Sequence, residues 1–440
     1  MGRLRSIRSR KIILTSTGAS SVVAMLARLV GALAPALPLL VFLWLKGDRR
    51  QFARYGGTVV RHAALRLGPV FVKLAQAISY RRDLLPAEFC DELIPLLDAV
   101  EYPREAKGRF CPSPAEFRTI GLTELSPTPI GSGSVAIVYR ANLRDGLPVA
   151  AKIVRPWVAR CVGRDLKALR TSINIVGRNR HLKHIPLVEA VCLILPIIEQ
   201  QVDMHHEFLM LTRLNAAFRQ PPLFPRAIEV SGTRRHILLM ELIDQAVPLN
   251  SVDLDDKTYR KCALELLHAL YRMIFVHGLV HCDLHPGNIL VRKGQIVILD
   301  AGLTAELSDS ERRVFRDLFF GLAEGNARAC TTAILKSAIR RPTTLNEEAV
   351  RSDVKQLLKL HHNQPAGTFL VAALVRDLFD LQRRHGLSGA PTFIGAIWAL
   401  AMFEGLVRQR YPDLDFQAEA HPYIVSALIE EARVRPVSVA

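Results

Sequence analysis

The stretch that most limits what this chain can fold into is His281-Cys282-Asp283-Leu284-His285-Pro286-Gly287-Asn288-Ile289-Leu290-Val291, followed by Ile298-Leu299-Asp300-Ala301-Gly302. An Asp, an Asn five residues on and a second Asp beyond an apolar run place three oxygen-bearing side chains between strand-like segments. Pro286 and Gly287 impose an irregular loop between Asp283 and Asn288. A β-hairpin with polar turn residues has the same outline, but the Gly two positions after Asp300 weighs against it. His281 and His285 are four apart, a zinc spacing when both lie on one helix face. Pro286-Gly287 argues against a helix there, so structural hydrogen bonding is the expected role of both.

This spacing resembles the catalytic loop and metal ligands of protein kinases. In that pattern the first Asp takes or orients the acceptor's proton, while the Asn and the second Asp hold Mg2+ against the nucleotide phosphates. Phosphates carry several negative charges, so the site needs a divalent cation, and hard cations take oxygen ligands. The resemblance makes Asp283 the candidate catalytic residue and Asn288 and Asp300 the candidate metal ligands.

The 440 residues leave room for two or three domains, or for one two-lobed enzyme with extensions. Half of them are apolar, ample for a core. The seven cysteines are scattered, with no C-x-x-C, which fits a reducing compartment and not a disulfide framework. The net charge of +17 invites a nucleic-acid reading. The arginines are spread along the chain, however, and few aromatic residues interleave with them. An anionic membrane surface or phosphate ligands account for the charge as well, and no nucleic-acid partner is expected.

Residues 1–18 are basic and free of acid, with Arg3, Arg5, Arg8, Arg10 and Lys11. Ser20 to Leu45 is strongly apolar, broken by Arg28, and no residue from Leu29 to Leu45 is charged. That length is at the short limit for a membrane span, and membrane helices tolerate Pro35 and Pro38. Bases flank both ends, so the positive-inside rule gives no orientation. A single span or re-entrant anchor is the leading expectation; a membrane-surface or buried helix and a cleaved targeting segment are the alternatives.

Residues 52–104 read as helical. Leu67-Gly68-Pro69 punctuates the start of an apolar run at helical spacing, on which Lys73 and Gln76 share a face. A second amphipathic run extends from Glu88 to Val100. Taken as residues alone, Lys73 and Gln76 are surface positions. Lys73-Leu74-Ala75-Gln76, with Ser79, Arg82, Asp83-Leu84-Leu85-Pro86 and Leu97-Asp98, resembles the K-x-G-Q signature of the UbiB/ABC1/ADCK family of atypical kinases. The resemblance implies helices placed before a kinase-like fold, with a K-x-G-Q face covering the active site. Here Ala75 stands at the Gly position, a change that leaves a helix intact or firmer.

Thr128 to Ala141 is a small-residue loop between β-prone runs, of the kind that brings backbone N–H groups to phosphates. Pro148-Val149-Ala150-Ala151-Lys152-Ile153-Val154-Arg155-Pro156 resembles the kinase V-A-I-K strand, which puts Lys152 on the α/β phosphates. The family carries an alanine-rich loop where this chain has Gly131-Ser132-Gly133-Ser134, and the difference implies a more kinase-like hold on ATP. Helical runs are expected over Asp165 to Val176 and Leu187 to Phe218. Within the second, Gln201-Val202-Asp203-Met204-His205-His206-Glu207 resembles the family's E-x-D-x-x-x-E. The resemblance pairs Glu207 with Lys152 and Asp203 with Lys73, from one helix face, and Gln201 removes a carboxylate. Ile237 to Ile243 resembles the hinge whose backbone meets adenine.

Lys257 to His277 reads as an amphipathic helix feeding the catalytic loop. Residues 304–440 read as helical without a further catalytic set, broken at Arg340-Arg341-Pro342 and at His361 to Pro365. The resemblance runs from about Arg66 to Tyr423. The expected fold is α+β, two-lobed and protein-kinase-like, with an N-terminal helical extension and a helical C-lobe. The expected divisions are 1–50 (membrane anchor or targeting segment), 51–125 (helical extension), 126–245 (N-lobe) and 246–440 (C-lobe). The nucleotide-contacting set is Ile130, Gly131, Ser132, Gly133, Ser134, Val138, Lys152, Glu241 and Leu242, with Glu207 supporting Lys152 and with Lys73, Gln76 and Asp203 as the active-site cover. ATP and Mg2+ are the implied cofactors. The implied partners are a membrane lipid or isoprenoid-quinone precursor, an anionic membrane surface and quinone-biosynthesis proteins. The implied location is a bacterial inner membrane with the kinase domain cytoplasmic, or a mitochondrion. Ala301 replaces the Phe of D-F-G, leaving the metal ligand but removing a packing anchor. A small-molecule kinase of the aminoglycoside/choline type shares the H-x-D-x-H-x-x-N loop but lacks the Lys73 helix. A non-catalytic nucleotide-binding scaffold is the third reading.

Overall fold

The computed structural model describes residues 16–96, 120–133, 135–176, 186–229, 236–251, 253–362, 364, 367–408 and 410–434. Ser134, Leu97, Asp98, Asn363, Pro365 and the basic segment from Arg3 to Lys11 lie outside the described residues.

Five helices come first: α1 (Ser16–Leu33), α2 (Leu37–Leu45), α3 (Arg49–Leu67), α4 (Pro69–Ser79) and α5 (Ala87–Asp91). Asp48 caps α3 by accepting from the Gln51 N–H at 3.0 Å. Gly68, at φ +115°, separates α3 from α4 in a backbone region that favours glycine, and Pro69 opens α4 where its missing N–H costs nothing. α4 buries Val70, Phe71, Val72, Leu74, Ala75 and Ile78. Among the described residues of the second amphipathic run, the α-helix covers Ala87–Asp91 and a 3-10 turn follows at Ile94–Leu96. Pro95 explains the break, because it supplies no N–H to an α-helical ladder.

β1 (Leu122–Ser132), β2 (Ala136–Leu143), β3 (Pro148–Val154), β4 (Ala227–Ile228) and β5 (Ile237–Glu241) form an antiparallel sheet in the order β1-β2-β3-β5-β4. Strand alternation sorts β3. Val149, Ala151 and Ile153 pack with Tyr139 and Leu239 in one cluster, while Ala150 and Val154 join the main core. Lys152 alternates with that second set and so faces the body of the protein.

Between β3 and β4 lie α6 (Pro156–Val176), α7 (Pro186–Gln201) and α8 (Met204–Ala217). The single helix expected from Leu187 to Phe218 is therefore two. Asp203 sits at φ −101°, ψ 103°, outside helical space, and its carboxylate accepts from the His205 N–H at 3.0 Å. Asp203 is the N-cap of α8, and Glu207 belongs to the first turn that it caps. The two do not share a helix face as expected. An Asp can end one helix and start another without Gly or Pro to mark the place.

The second lobe begins with β6 (Val247–Pro248) and α9 (Asp256–Tyr271), which continues as a π-helical turn over Arg272–His277. Gly278 ends it at φ +67°, where an added Cβ would lie 2.8 Å from the Leu307 carbonyl oxygen. β7 (Leu279–His281) then enters the loop singled out above. β8 (Ile289–Arg292) and β9 (Gln295–Ile298) form a small sheet with β6, and β10 (Thr304–Glu306) pairs with β7. Helices α10 (Asp309–Ala323), α11 (Ala327–Ser337), α12 (Glu347–His361), α13 (Val371–Arg384), α14 (Pro391–Val407) and α15 (Phe416–Val434) complete the lobe, with a short ladder between β11 (Ala338–Arg340) and β12 (Ser388–Gly389). Ser308 and Glu311 form a capping box on α10. The architecture is α+β, with a sheet lobe, a helical lobe and a helical extension in front.

The extension is tied to the helical lobe by a buried pair. Arg81 Nε and Nη2 donate to the two oxygens of Asp83, each at 2.8 Å. Arg81 also donates to the Gly389 carbonyl at 3.3 Å, and the Gly389 N–H donates to Asp83 at 3.1 Å.

Candidate active site

Lys152 brings the site together. Its Nζ lies 2.8 Å from both carboxylate oxygens of Glu207 and 2.9 Å from Asp300 Oδ1. Lys152 is 8% exposed and Glu207 1%. Burial opposes the Lys152 charge, but Asp300 and Glu207 overcome it and raise its pKa. Burial pushes the Glu207 carboxyl up to about 7, with Lys152 opposing the rise and Asp300 adding to it. One ammonium between two carboxylates leaves an excess negative charge, and the more buried carboxylate takes the proton more readily. Burial acts upward on Asp300 too, but Lys152 beside it, with Lys73 and His281 at longer range, holds it well below the usual carboxylate range. Asp300 itself sits at φ +57°, uncommon for a non-glycine residue. The Gly302 N–H donates to its Oδ1 at 3.3 Å, and a Cβ on Gly302 would lie 3.2 Å from that oxygen.

The loop between β7 and β8 is fixed from beneath. The Asp283 N–H donates to His281 Nδ1 at 3.3 Å, so the His281 proton sits on Nε2, which donates to the carbonyls of Leu299 at 2.9 Å and Asp300 at 2.8 Å. Burial keeps this imidazole neutral by lowering its pKa. One histidine thus ties the Asp283 backbone to the Asp300 backbone. His285 Nδ1 accepts from the Gly287 N–H at 3.1 Å. Both histidines hold the loop by hydrogen bonds. Asn288 Nδ2 donates to the Asp283 carbonyl at 3.0 Å, which leaves Asn288 Oδ1 as the amide atom for a cation. Together with the Asp300 carboxylate it forms an oxygen donor set that suits Mg2+.

The small-residue loop is shorter than its sequence suggests. Gly131 and Ser132 belong to β1, paired with Val138 and Ile137, and the Gly133 N–H donates to the Ala136 carbonyl at 2.9 Å. That N–H is therefore not offered to a phosphate. Neither Gly131 nor Gly133 has a positive φ. Added Cβ atoms would meet ordinary contacts, 3.5 Å to Val138 and 3.5 Å to the Ala136 oxygen. Glycine is thus not required there by backbone conformation. Arg155 grips the turn: Nη2 donates to Ser132 Oγ at 2.8 Å and to the Gly133 carbonyl at 3.1 Å, and Nε donates to the same carbonyl at 3.2 Å. Sequence reasoning assigned Arg155 no part in the site, since its spacing from Lys152 does not show which way it turns.

Ile130 is 56% exposed on β1, and Val138 is half-buried on β2. Glu241 ends β5; its N–H donates to the Arg226 carbonyl at 2.8 Å and its carboxylate lies 3.4 Å from Arg292, and Leu242 follows just beyond the strand.

On the extension, Lys73 is half-buried and its charge reaches Asp300. Among the described residues no ion pair within 4 Å joins Lys73 to Asp203; Asp203 is occupied as the α8 cap. Gln76 donates through its amide to the Leu96 carbonyl, so it braces the extension. The residue that α4 does bring toward Asp283 is Tyr80. Burial, then the Asp283 charge, raise its phenol pKa. Trp398 Nε1 donates to the Tyr80 carbonyl at 2.9 Å, and the two rings lie 5.2 Å apart. No sequence signal pointed to Tyr80. From below, α14 packs Gly395 against Cys282, where a Cβ would come within 3.2 Å of Sγ.

Residues 119–334 match the ABC1 atypical kinase-like domain. The chain is 28% identical over 383 residues to the probable protein kinase UbiB of Marinobacter nauticus, covering 84% of this chain and 69% of that one. It is 27% identical over 384 residues to the Cellvibrio japonicus protein of the same name, covering 84% and 68%. With the Aeromonas salmonicida protein, also named probable protein kinase UbiB, identity is 25% over 417 residues, covering 90% and 74%. A solved Mycobacterium tuberculosis protein in complex with erythromycin is 20% identical, with a TM-score of 0.37 over 65% of this chain and 74% of that one. A buried lysine–glutamate pair and an Asp–Asn loop both fall inside the matched region, so residues 119–334 of this chain form an ABC1 atypical kinase-like domain.

Proposed function

We propose that this protein is an atypical kinase or ATPase of the UbiB type that binds Mg-ATP between its lobes. In this reading it acts at a bacterial inner membrane, kinase domain on the cytoplasmic side, in support of ubiquinone or other isoprenoid-lipid biosynthesis. The observation that carries the reading is the buried Lys152 ammonium held by Glu207 and Asp300, beside the loop that bears Asp283 and Asn288. The location draws its support from the bacterial relatives and an apolar N-terminal helical stretch.

When bound, Mg-ATP supplies the phosphoryl group and the charge neutralisation its transfer needs. Lys152 binds the α/β phosphates, and Glu207 keeps its ammonium aimed. Asn288 Oδ1 and the Asp300 carboxylate are the protein oxygens that would hold Mg2+. The Arg155-held turn at Gly133 would help hold the phosphates. Asp283 orients the acceptor, or takes its proton, with its backbone fixed by His281. The acceptor is water or a lipid-linked group such as an isoprenoid-quinone precursor, and quinone-biosynthesis proteins are the proposed partners. The Lys73 charge felt at Asp300 favours the UbiB type over a small-molecule kinase, which has no such helix.

The test is a Mg-ATPase assay of the full chain, with and without anionic liposomes and quinone-precursor mimics, beside an autophosphorylation assay. Mg-dependent turnover that disappears in Asp300→Asn is the expected result. Full activity in that variant overturns the assignment.

A further inference from the structure

The stretch Val23–Leu45 is long and apolar enough to cross a membrane by length and composition. The fold divides it into parts with different surroundings. α1 is docked. It packs on α3 and α6, and Met25 is 2% exposed. Arg28 lies 3.4 Å from buried Asp165 on α6 and donates to the Leu67 carbonyl at the end of α3. A helix held this way on two others cannot also stand across a bilayer. A 3-10 turn at Ala34–Ala36 follows, and then α2.

α2 fully buries only Leu43, with Leu40 half-buried beside it. Leu37, Phe42, Trp44 and Leu45 are 60%, 57%, 69% and 71% exposed, and Leu39 and Val41 add to the same surface. Val23 and Val30 continue it along the outer side of α1. An isolated apolar residue on a surface needs no explanation, but a contiguous set of this size marks an interaction site. Nine helical residues rise about 13.5 Å, against roughly 30 Å for the hydrocarbon core, so α2 reaches about one leaflet deep. Exposed Lys46, Arg49 and Arg50 follow immediately. Of the nearby acids, Asp48 is occupied as the α3 cap and Glu88 lies 3.7 Å from Arg50. An apolar helix that ends in a Trp and then a cluster of bases complements a bilayer's anionic interface, where Trp settles at headgroup depth and each base meets lipid phosphate.

We propose that α2, together with the outer edge of α1, is a one-leaflet docking surface for an anionic phospholipid bilayer, so that the chain lies on the membrane and does not cross it. This rests on the membrane placement in the reading above and not on its ATP chemistry.

The test is flotation of the full chain with vesicles of phosphatidylcholine, with and without phosphatidylglycerol, followed by transfer to a large excess of fresh vesicles. Binding should need phosphatidylglycerol, weaken roughly tenfold or more at high salt, and pass to the fresh vesicles. The triple variant Phe42→Ser, Trp44→Ser, Leu45→Ser should lose binding while its melting temperature and its ATP turnover without lipid stay unchanged. Four results overturn the proposal: no binding to either vesicle, undiminished binding by the triple variant, bound chain that never transfers (a span), or a dimer in solution that the triple variant splits (a second copy on this face). ATP turnover without lipid is read separately, so failure of either reading is visible alone.

Discussion

Asp300 Oδ1 lies 2.9 Å from Lys152 Nζ. One oxygen of the carboxylate expected to hold a cation is therefore shared with an ammonium, and its second oxygen is the one a metal ion can take without breaking that contact. Asp300→Asn keeps the shape and removes the charge. Mg-dependent nucleotide binding should fall by about 10²-fold or more, the scale seen when one preorganised electrostatic contact is lost. Titration of a fluorescent ATP analogue with Mg2+ and with EDTA reads this directly; Mg-dependent binding that persists in the variant excludes Asp300 as a ligand.

Glu207 gives the site a pH signature. Its folded pKa, pushed up to about 7 by burial, lies above the ordinary 4.5. Between those values the folded protein binds more protons than the unfolded chain, so stability falls as pH rises through that window. In EDTA, the melting temperature of the wild type should drop relative to Glu207→Gln as pH goes from about 4.5 to about 7. Parallel curves for the two proteins would mean that Glu207 does not titrate there.

Arg155 is a positioning residue, holding Ser132 and Gly133 at 2.8 to 3.2 Å. Arg155→Ala should raise KM for ATP by about tenfold, the worth of one or two charge-assisted hydrogen bonds, with a smaller effect on kcat. Arg155→Lys restores one donor and should recover part of the loss. Equal losses in kcat and kcat/KM, with no rescue by Lys, would place Arg155 in the chemistry instead.

Gly131 and Gly133 separate stability from nucleotide handling. With no positive φ and only ordinary contacts at a new Cβ, Gly131→Ala and Gly133→Ala should change stability by less than about 1 kcal/mol. If the turn handles nucleotide as proposed, the added methyls should change affinity or hydrolysis. Unchanged affinity and hydrolysis in the double variant would sink the idea that this loop binds ATP in a more kinase-like way.

Much of this was legible because kinase-like chemistry needs fixed residue types at fixed separations. Asp283, Asn288 and Asp300 are close in sequence, and strand alternation turns Lys152 toward the body whatever else the chain does. What was not legible depended on direction. The sequence from Gln201 to Glu207 reads as one helix because a polar cap looks like any exposed aspartate. The partners of Arg155 lie across a hairpin, and Tyr80 approaches Asp283 only because α4 docks where it does. Gln76 shares a face with Lys73, but that spacing does not show that its amide turns to the Leu96 carbonyl.

The Arg81–Asp83 pair is the last case for measurement. Asp83→Ala would leave the Arg81 guanidinium buried without its carboxylate, at a cost of about 3–5 kcal/mol. Denaturant unfolding should show that loss in the midpoint. A shift under about 1 kcal/mol would mean that water or a rearranged Asp takes over.

That pair also bears on how such a chain could be rebuilt. Its hydrogen bonds run both to and from the backbone of Gly389, more than three hundred positions downstream. Cutting the extension away would strand a carbonyl and an N–H in the helical lobe and uncover the apolar side of α4's seat. The front helices are therefore no detachable module to be traded between proteins. A recombination event that swapped them would have to bring the matching stretch around Gly389 with it.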